Sequence, residues 1–378
     1  MTSENGFPRE LLAKSDDDKI LYFKEKTIGH PFLLKAHKKI QTILSGPAKP
    51  QILLLIGPSG SGKSTLGKKV VKDVVQKNIM KMEADPAFFP IPVLELLGSE
   101  TEKLDWIYFY KEALKAVIEP DCFIGRKTEP EIGSIRQGTL RALKESFLNA
   151  LQYRKAEQFI LDEAHTLILG TSPKVLEKNL KVIKSLAMHS KTTFILIGTY
   201  ELRLFRNLNE ELSRRSVDIH FQRYKLQEPD LTYFKSVIAT FQKHLPFEEE
   251  PDLLEHWEFL YERSIGCIGV LKDWLLNAYT FALANNEKTI GPDLLRELAL
   301  SEAAVFKMLR TAMDGERAME NLGENTELRA FIGLDKYNRE PLIEQPSAEQ
   351  PSARSKSRSY NRSSKRDVVG DFKEAEGT

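Results

Sequence analysis

The chain has 378 residues, 41% of them apolar and 29% charged, which excludes a fibrous or wholly disordered protein and leaves room for two or three domains. Lys and Arg number 55 against 54 Asp and Glu, so no global basic excess advertises nucleic acid, and only a local patch could serve that purpose. The two cysteines, Cys122 and Cys267, lack metal-type spacing, which argues against a disulfide framework and for a reducing compartment, each as a small buried apolar residue.

The first 26 residues read as a polar N-terminal extension with a short helix through Lys19–Lys26 and no signal-peptide pattern. A helix follows at about 31–45, where Phe32, Leu33, Ala36, Ile40 and Ile43 recur at helical spacing, and Gly46-Pro47 ends it. QILLLIG, 51–57, is short and apolar on both faces, as a buried parallel strand should be. It is far too short to span a bilayer, so a cytoplasmic protein with no membrane contact is expected. A helix is expected over 63–77, and further strands at about 91–96, 157–162 and 192–197, separated by helical stretches.

Strands alternating with helices predict an α/β fold, a parallel sheet flanked by helices, over 27–226. From about 228 the strand pattern stops, and a small α-helical domain is expected over 227–320. The four amphipathic stretches LTYFKSVIATFQKHL, LLEHWEFLYERS, VLKDWLLNAYTFALA and PDLLRELALSEAAVFKML make it up. Residues 321–378 form a C-terminal extension, rich in Ser and Pro from about 345, with six basic residues from Arg354 to Arg366 and no acid among them. That stretch cannot bury enough apolar surface to fold alone, so it reads as a flexible basic tail, either a solvated linker or an arm for a polyanion or protein partner.

The chemistry begins at IGPSGSGKST, 56–65. Gly57, Pro58, Ser59, Gly60, Ser61 and Gly62 form a glycine-rich loop between a strand and a helix, where successive N–H groups and the helix dipole hold phosphates. Lys63 would reach the β- and γ-phosphates of ATP, Ser64 would ligate Mg²⁺, and Thr65 completes the motif. FILDEAHTL, 159–167, puts two carboxylates at the end of a buried strand: Asp162 for the Mg²⁺ shell and Glu163 to polarise an attacking water, which argues for hydrolysis. FILIGTY, 194–200, ends in Gly198-Thr199, where Thr199 could touch the γ-phosphate or the water. ELSRRSVDIHF, 211–221, carries Arg214 and Arg215 at a helix end, from which an arginine could reach a neighbouring subunit's nucleotide. The Asp-Glu-Ala-His run also occurs in helicases, but the arginine-bearing motifs those need are not found after residue 200.

In this order the motifs resemble the AAA+ ATPases over roughly residues 25–310. Among them the chain looks most like the transposition-regulator ATPases of the TnsC/TniB type, on IGPSGSGKST, FILDEAH, IGTY, LSRR and SIGCIGVLKDWL, together with the long insert between Lys63 and Asp162. The resemblance implies an ATPase that assembles as a homo-oligomer, in rings or filaments, on duplex DNA. That assembly links a target-selection protein to the transposase, and hydrolysis times its disassembly. It also implies a helical lid over the nucleotide, but where many AAA+ members place a sensing arginine this chain has Gly266-Cys267-Ile268-Gly269, and Lys272 nearby has no assigned role.

On that reading the insert should contact the DNA backbone without reading sequence. ETEKLDW, 100–106, leads into its helix and FIGRKTEPEIG, 123–133, leaves it, which makes Lys103, Arg126, Lys127 and Thr128 the candidate DNA-binding residues. A related ATPase serving secretion or replication initiation, or a nucleotide-gated scaffold, stays open as an alternative. A small-molecule kinase would leave Glu163 and the paired arginines without a purpose.

Overall fold

A computed structural model describes residues 6–96, 104–118, 139–168, 172–207, 215–320 and 332. The chain divides into two compact units, Met1–Glu324 and Asn325–Thr378, and of the second only the exposed Ile332 is described.

Five strands form one parallel sheet: β1 (Ile52–Ile56), β2 (Val93–Glu95), β3 (Gln158–Asp162), β4 (Thr193–Gly198) and β5 (Ser216–His220), in the order β2-β3-β4-β1-β5. The apolar runs in β1, β3 and β4 are buried on both faces because helices cover both. Ile52, Leu54, Phe159, Leu161, Phe194 and Leu196 face α4 (Trp106–Ile118), α5 (Leu140–Tyr153) and α6 (Pro173–Ser190). Leu53, Leu55, Ile160, Ile195 and Ile197 face α2 (Pro31–Ser45) and α3 (Lys63–Ala84). Each such side chain adds roughly 1.5–3 kcal/mol on burial. A short α7 (Leu204–Asn207) follows β4.

The strand β5 was not foreseen. SVDIH alternates, but only Ile219 is fully buried, and the segment is extended because it pairs with β1, Ile52 opposite Ser216 through Ile56 opposite His220. The expected stretch at 292–309 is also two helices rather than one, with Ser301 opening the second by accepting from the backbone N–H of Ala304 at 3.4 Å.

After β5 the described chain is helical: α8 (Asp230–Lys243), α9 (Trp257–Ser264), α10 (Ile268–Ala284), α11 (Pro292–Glu297) and α12 (Glu302–Glu320). The predicted N-terminal helix is α1 (Asp16–Glu25), with Ser15 accepting from the N–H of Asp18 and three aspartates in its first turn. It belongs to the packing of this helical region: Phe23 is fully buried, edge-on to Phe241 and Tyr279. The last helix turns back toward the sheet. There Gly315 lies against the Tyr200 ring, and Glu316 pairs with Arg223, which follows β5.

Candidate nucleotide site

Parallel pairing brings the ends of three strands to one edge. Ile56 lies opposite Gly198, and Leu161 opposite Leu196, so the glycine loop, Thr199 and the Asp162-Glu163 pair emerge side by side. The loop is fixed from several directions. Gly57 N–H donates to Gly198 O at 3.3 Å, the N–H and hydroxyl of Ser61 donate to Pro58 O at 3.3 and 2.9 Å, and α3 begins at Lys63. Lys63 is buried, and its Nζ donates to the carbonyls of Gly57 at 3.1 Å and Pro58 at 2.7 Å. Burial pushes the Lys63 ammonium down to about 8, against the opposing pull of Cys267, Glu163, Asp162 and Glu201. Of the other loop residues, Ser59 and Thr65 are exposed and Ser64 is half-buried.

The two carboxylates have different settings. Asp162 ends β3, and its Oδ1 accepts from the backbone N–H of Glu163 at 2.9 Å. Glu163 stands in the left-handed region at φ 52°, where non-glycine residues are uncommon, and its Oε2 lies 3.0 Å from Nδ1 of His165. That turn throws the Glu163 side chain, 44% exposed, out of the strand direction and toward solvent. Ser64 and Asp162 offer one hydroxyl and one carboxylate, hard oxygen donors that fit Mg²⁺, an ion bound through one or two protein groups, nucleotide phosphates and water.

Thr199 donates its hydroxyl to Glu201, a contact that the motif reading did not include. Glu201 is a third carboxylate acting on Lys63, and only its position two residues after Thr199 could have signalled it. Arg215 is placed elsewhere. It is exposed and directly precedes β5, its carbonyl accepting from Gln51 at the starting end of β1, opposite the loop. A five-residue strand separates those two edges by roughly 17 Å, so Arg215 cannot serve its own subunit's phosphates. Arg214, Lys103, Arg126, Lys127, Thr128 and Cys122 lie outside the described residues.

The SIGCIG run turns out to be two close backbone approaches. Gly266, at φ +74°, lies against the carbonyl of Tyr224, and the two are joined by Tyr224 N–H to Gly266 O at 3.0 Å. Gly269 lies against Gly60: the N–H groups of Gly269 and Val270 donate to Gly60 O at 2.7 and 3.2 Å. A glycine-loop carbonyl thus satisfies two of the first N–H groups of α10, which has no side-chain cap of its own. Cys267 between them is free and fully buried, and burial pushes its thiol up to about 12.

The family model of the AAA domain matches residues 35–205. The five-stranded parallel sheet with its flanking helices and glycine loop is the AAA+ P-loop fold. No curated protein matches the sequence. Among solved structures, the chain is similar to the ORC2 protein of Aeropyrum pernix in its ADPNP–ADP complexes, at 16% identity over 73% of this chain and 70% of that one, TM-score 0.47. It is similar to domain III of the Thermotoga maritima replication initiation protein DnaA at 14% identity over 73% and 94%, TM-score 0.42. Drosophila ORC bound to GC-rich DNA and Cdc6 matches at 12% identity over 75% and 44%, TM-score 0.43. Among the described residues, no helix is long and apolar enough to cross a membrane.

Proposed function

We propose that this protein is an ATPase that assembles in several copies on duplex DNA and regulates transposition, linking a target-selection protein to a transposase. The observation that supports its ATPase part is the shared edge on which Lys63, Asp162, Glu163 and Thr199 gather, and the DNA and transposition parts rest on the resemblance of the motifs. Lys63 would exchange its two loop carbonyls for β- and γ-phosphate oxygens, a stronger charge-assisted contact. Bound Mg²⁺, held by Ser64 and Asp162, would neutralise charge on the phosphates. Glu163 reaches outward from its left-handed turn to polarise a water, with His165 steadying its carboxylate. Thr199 orients the same water or the γ-phosphate. Arg215, exposed on the opposite edge, suits a role toward the next subunit, and Arg214 is proposed for the same role on its sequence motif alone. The insert's Lys103, Arg126, Lys127 and Thr128 are the proposed DNA contacts, and the basic tail is the proposed partner-docking arm.

The test is electron microscopy of wild type and Glu163→Gln with duplex DNA in ATP and in ADP. Glu163→Gln should lower hydrolysis about a hundredfold or more and leave ATP-bound oligomers on DNA that wild type sheds. Oligomers of the variant that dissolve at the wild-type rate would remove hydrolysis as the timer. Absence of any ATP-dependent assembly on DNA would overturn the reading as a whole.

A further inference from the structure

Lys272 lies in the second turn of α10, on the helix whose first N–H groups hold the glycine loop. Its Nζ donates to two backbone carbonyls, Lys24 O and Lys26 O, at 2.7 Å each. Those carbonyls belong to the C-terminal end of α1, where helix carbonyls lack intrahelical partners and a cation is favoured by the dipole. Residues 26–30 then run as a strap from α1 to α2, whose N-cap His30 is anchored at its other end through Nδ1 to the Tyr224 hydroxyl at 2.8 Å.

The strap forms one wall of a cavity beside the glycine loop. Ile28 and His30 stand on that wall, Ser61 and Thr65 on the loop side, and Ile268 and Lys272 on the side of α10. The helix α10 therefore holds both flanking walls, the loop through Gly60 O and the strap through Lys272.

We propose that the nucleoside of a ligand seated on the loop faces this small cavity, and that Lys272 is a positioning residue for that end, fixing the strap 26–30 against α10, rather than a group that senses phosphate. Both of its short contacts go to backbone carbonyls, and its effect on the ligand runs through the strap. This inference rests on the nucleotide reading given above, and the experiment separates the two.

Binding of ATP and of inorganic tripolyphosphate is measured by calorimetry on the full chain for wild type, Lys272→Met and Lys272→Arg. Lys272→Met should weaken ATP about tenfold and leave tripolyphosphate within about twofold, because only the nucleoside depends on the strap. Lys272→Arg, which can also donate to two carbonyls, should recover most of the ATP affinity. Equal weakening of both ligands would make Lys272 a phosphate sensor and overturn the inference, as would unchanged ATP binding in Lys272→Met. Wild type that binds ATP no better than tripolyphosphate would also overturn it. Wild type that binds neither ligand would overturn the nucleotide reading and this inference with it. Hydrogen exchange on wild type supplies a readout that needs no variant to fold. Amides of residues 26–30 should slow with ATP and not with tripolyphosphate; an equal response to both, or to neither, counts against the proposal.

Discussion

Gly269→Ala isolates the contact between α10 and the glycine loop. An added Cβ would sit 2.5 Å from Gly60 O and 3.1 Å from Gly60 C, both backbone atoms that no rotamer change can move aside. Relief requires the helix and loop to part by about half an ångström or more. The 3.2 Å bond from Val270 then passes beyond hydrogen-bond range, and the 2.7 Å bond from Gly269 is stretched. Losing one such bond and straining another costs about 1–2 kcal/mol. Alanine is the better helix former by about 1 kcal/mol, but that gain accrues to α10 whether or not it touches the loop. The two effects nearly cancel in overall stability and do not cancel in the docking of helix on loop. Thermal unfolding should therefore shift by only a few degrees, while equilibrium binding of a fluorescent ATP analogue weakens by about 5- to 30-fold. Gly291→Ala is the control. It caps α11 with nothing within 4 Å of its added Cβ, so stability should fall slightly and ATP binding should not change. Wild-type ATP affinity in Gly269→Ala would refute the reasoning.

Two further outcomes follow from buried charge. The folded chain releases the Lys63 proton near 8, whereas the unfolded chain holds it to about 10.5, so between those values the unfolded state binds more protons and this group's contribution to stability improves as pH rises. ATP prefers the ammonium form, so wild-type ATP affinity should decline above about pH 8 with proton uptake visible in calorimetry, and a flat profile from pH 7 to about 9.5 would refute the assignment. Arg223 and Glu316 form a buried fork, Nε to Oε1 at 2.9 Å and Nη2 to Oε2 at 3.3 Å, with Nη1 donating to Ile265 O. Glu316→Leu alone strands the guanidinium and should cost about 3–5 kcal/mol in denaturant unfolding, while Arg223→Met with Glu316→Leu should be close to neutral; equal losses in both would show that the pair's charges are not the cause.

The strands that end at the candidate nucleotide edge were legible because their signals are local. ILLLI, FILD and FILIG are continuous apolar runs ending in polar residues, and burial on both faces of a parallel sheet produces that pattern directly. What escaped was set by tertiary contact. SVDIH has too few buried positions to announce a strand and is one because β1 pairs with it. The short N-terminal helix read only as part of a polar extension, and the fold shows Phe23 enclosed by Phe241 and Tyr279. Gly269 entered the sequence reading only as part of the run that stands where a sensing arginine is common. Only the fold supplies Gly60, some two hundred residues earlier, as the reason no side chain fits there.

The return of α12 to the sheet limits how the helical region can move. That region leaves the α/β body at Arg223 and Tyr224 and rejoins it where Gly315 meets Tyr200 and Glu316 meets the same Arg223. Attached at both ends of its sequence, it cannot swing as a door on a single hinge. The bonds from Gly269 and Val270 to Gly60 O hold it at a third place, and Tyr200, at one of these attachments, is the residue next to Thr199. A displacement of the last helix therefore reaches the sheet one residue from the threonine hydroxyl.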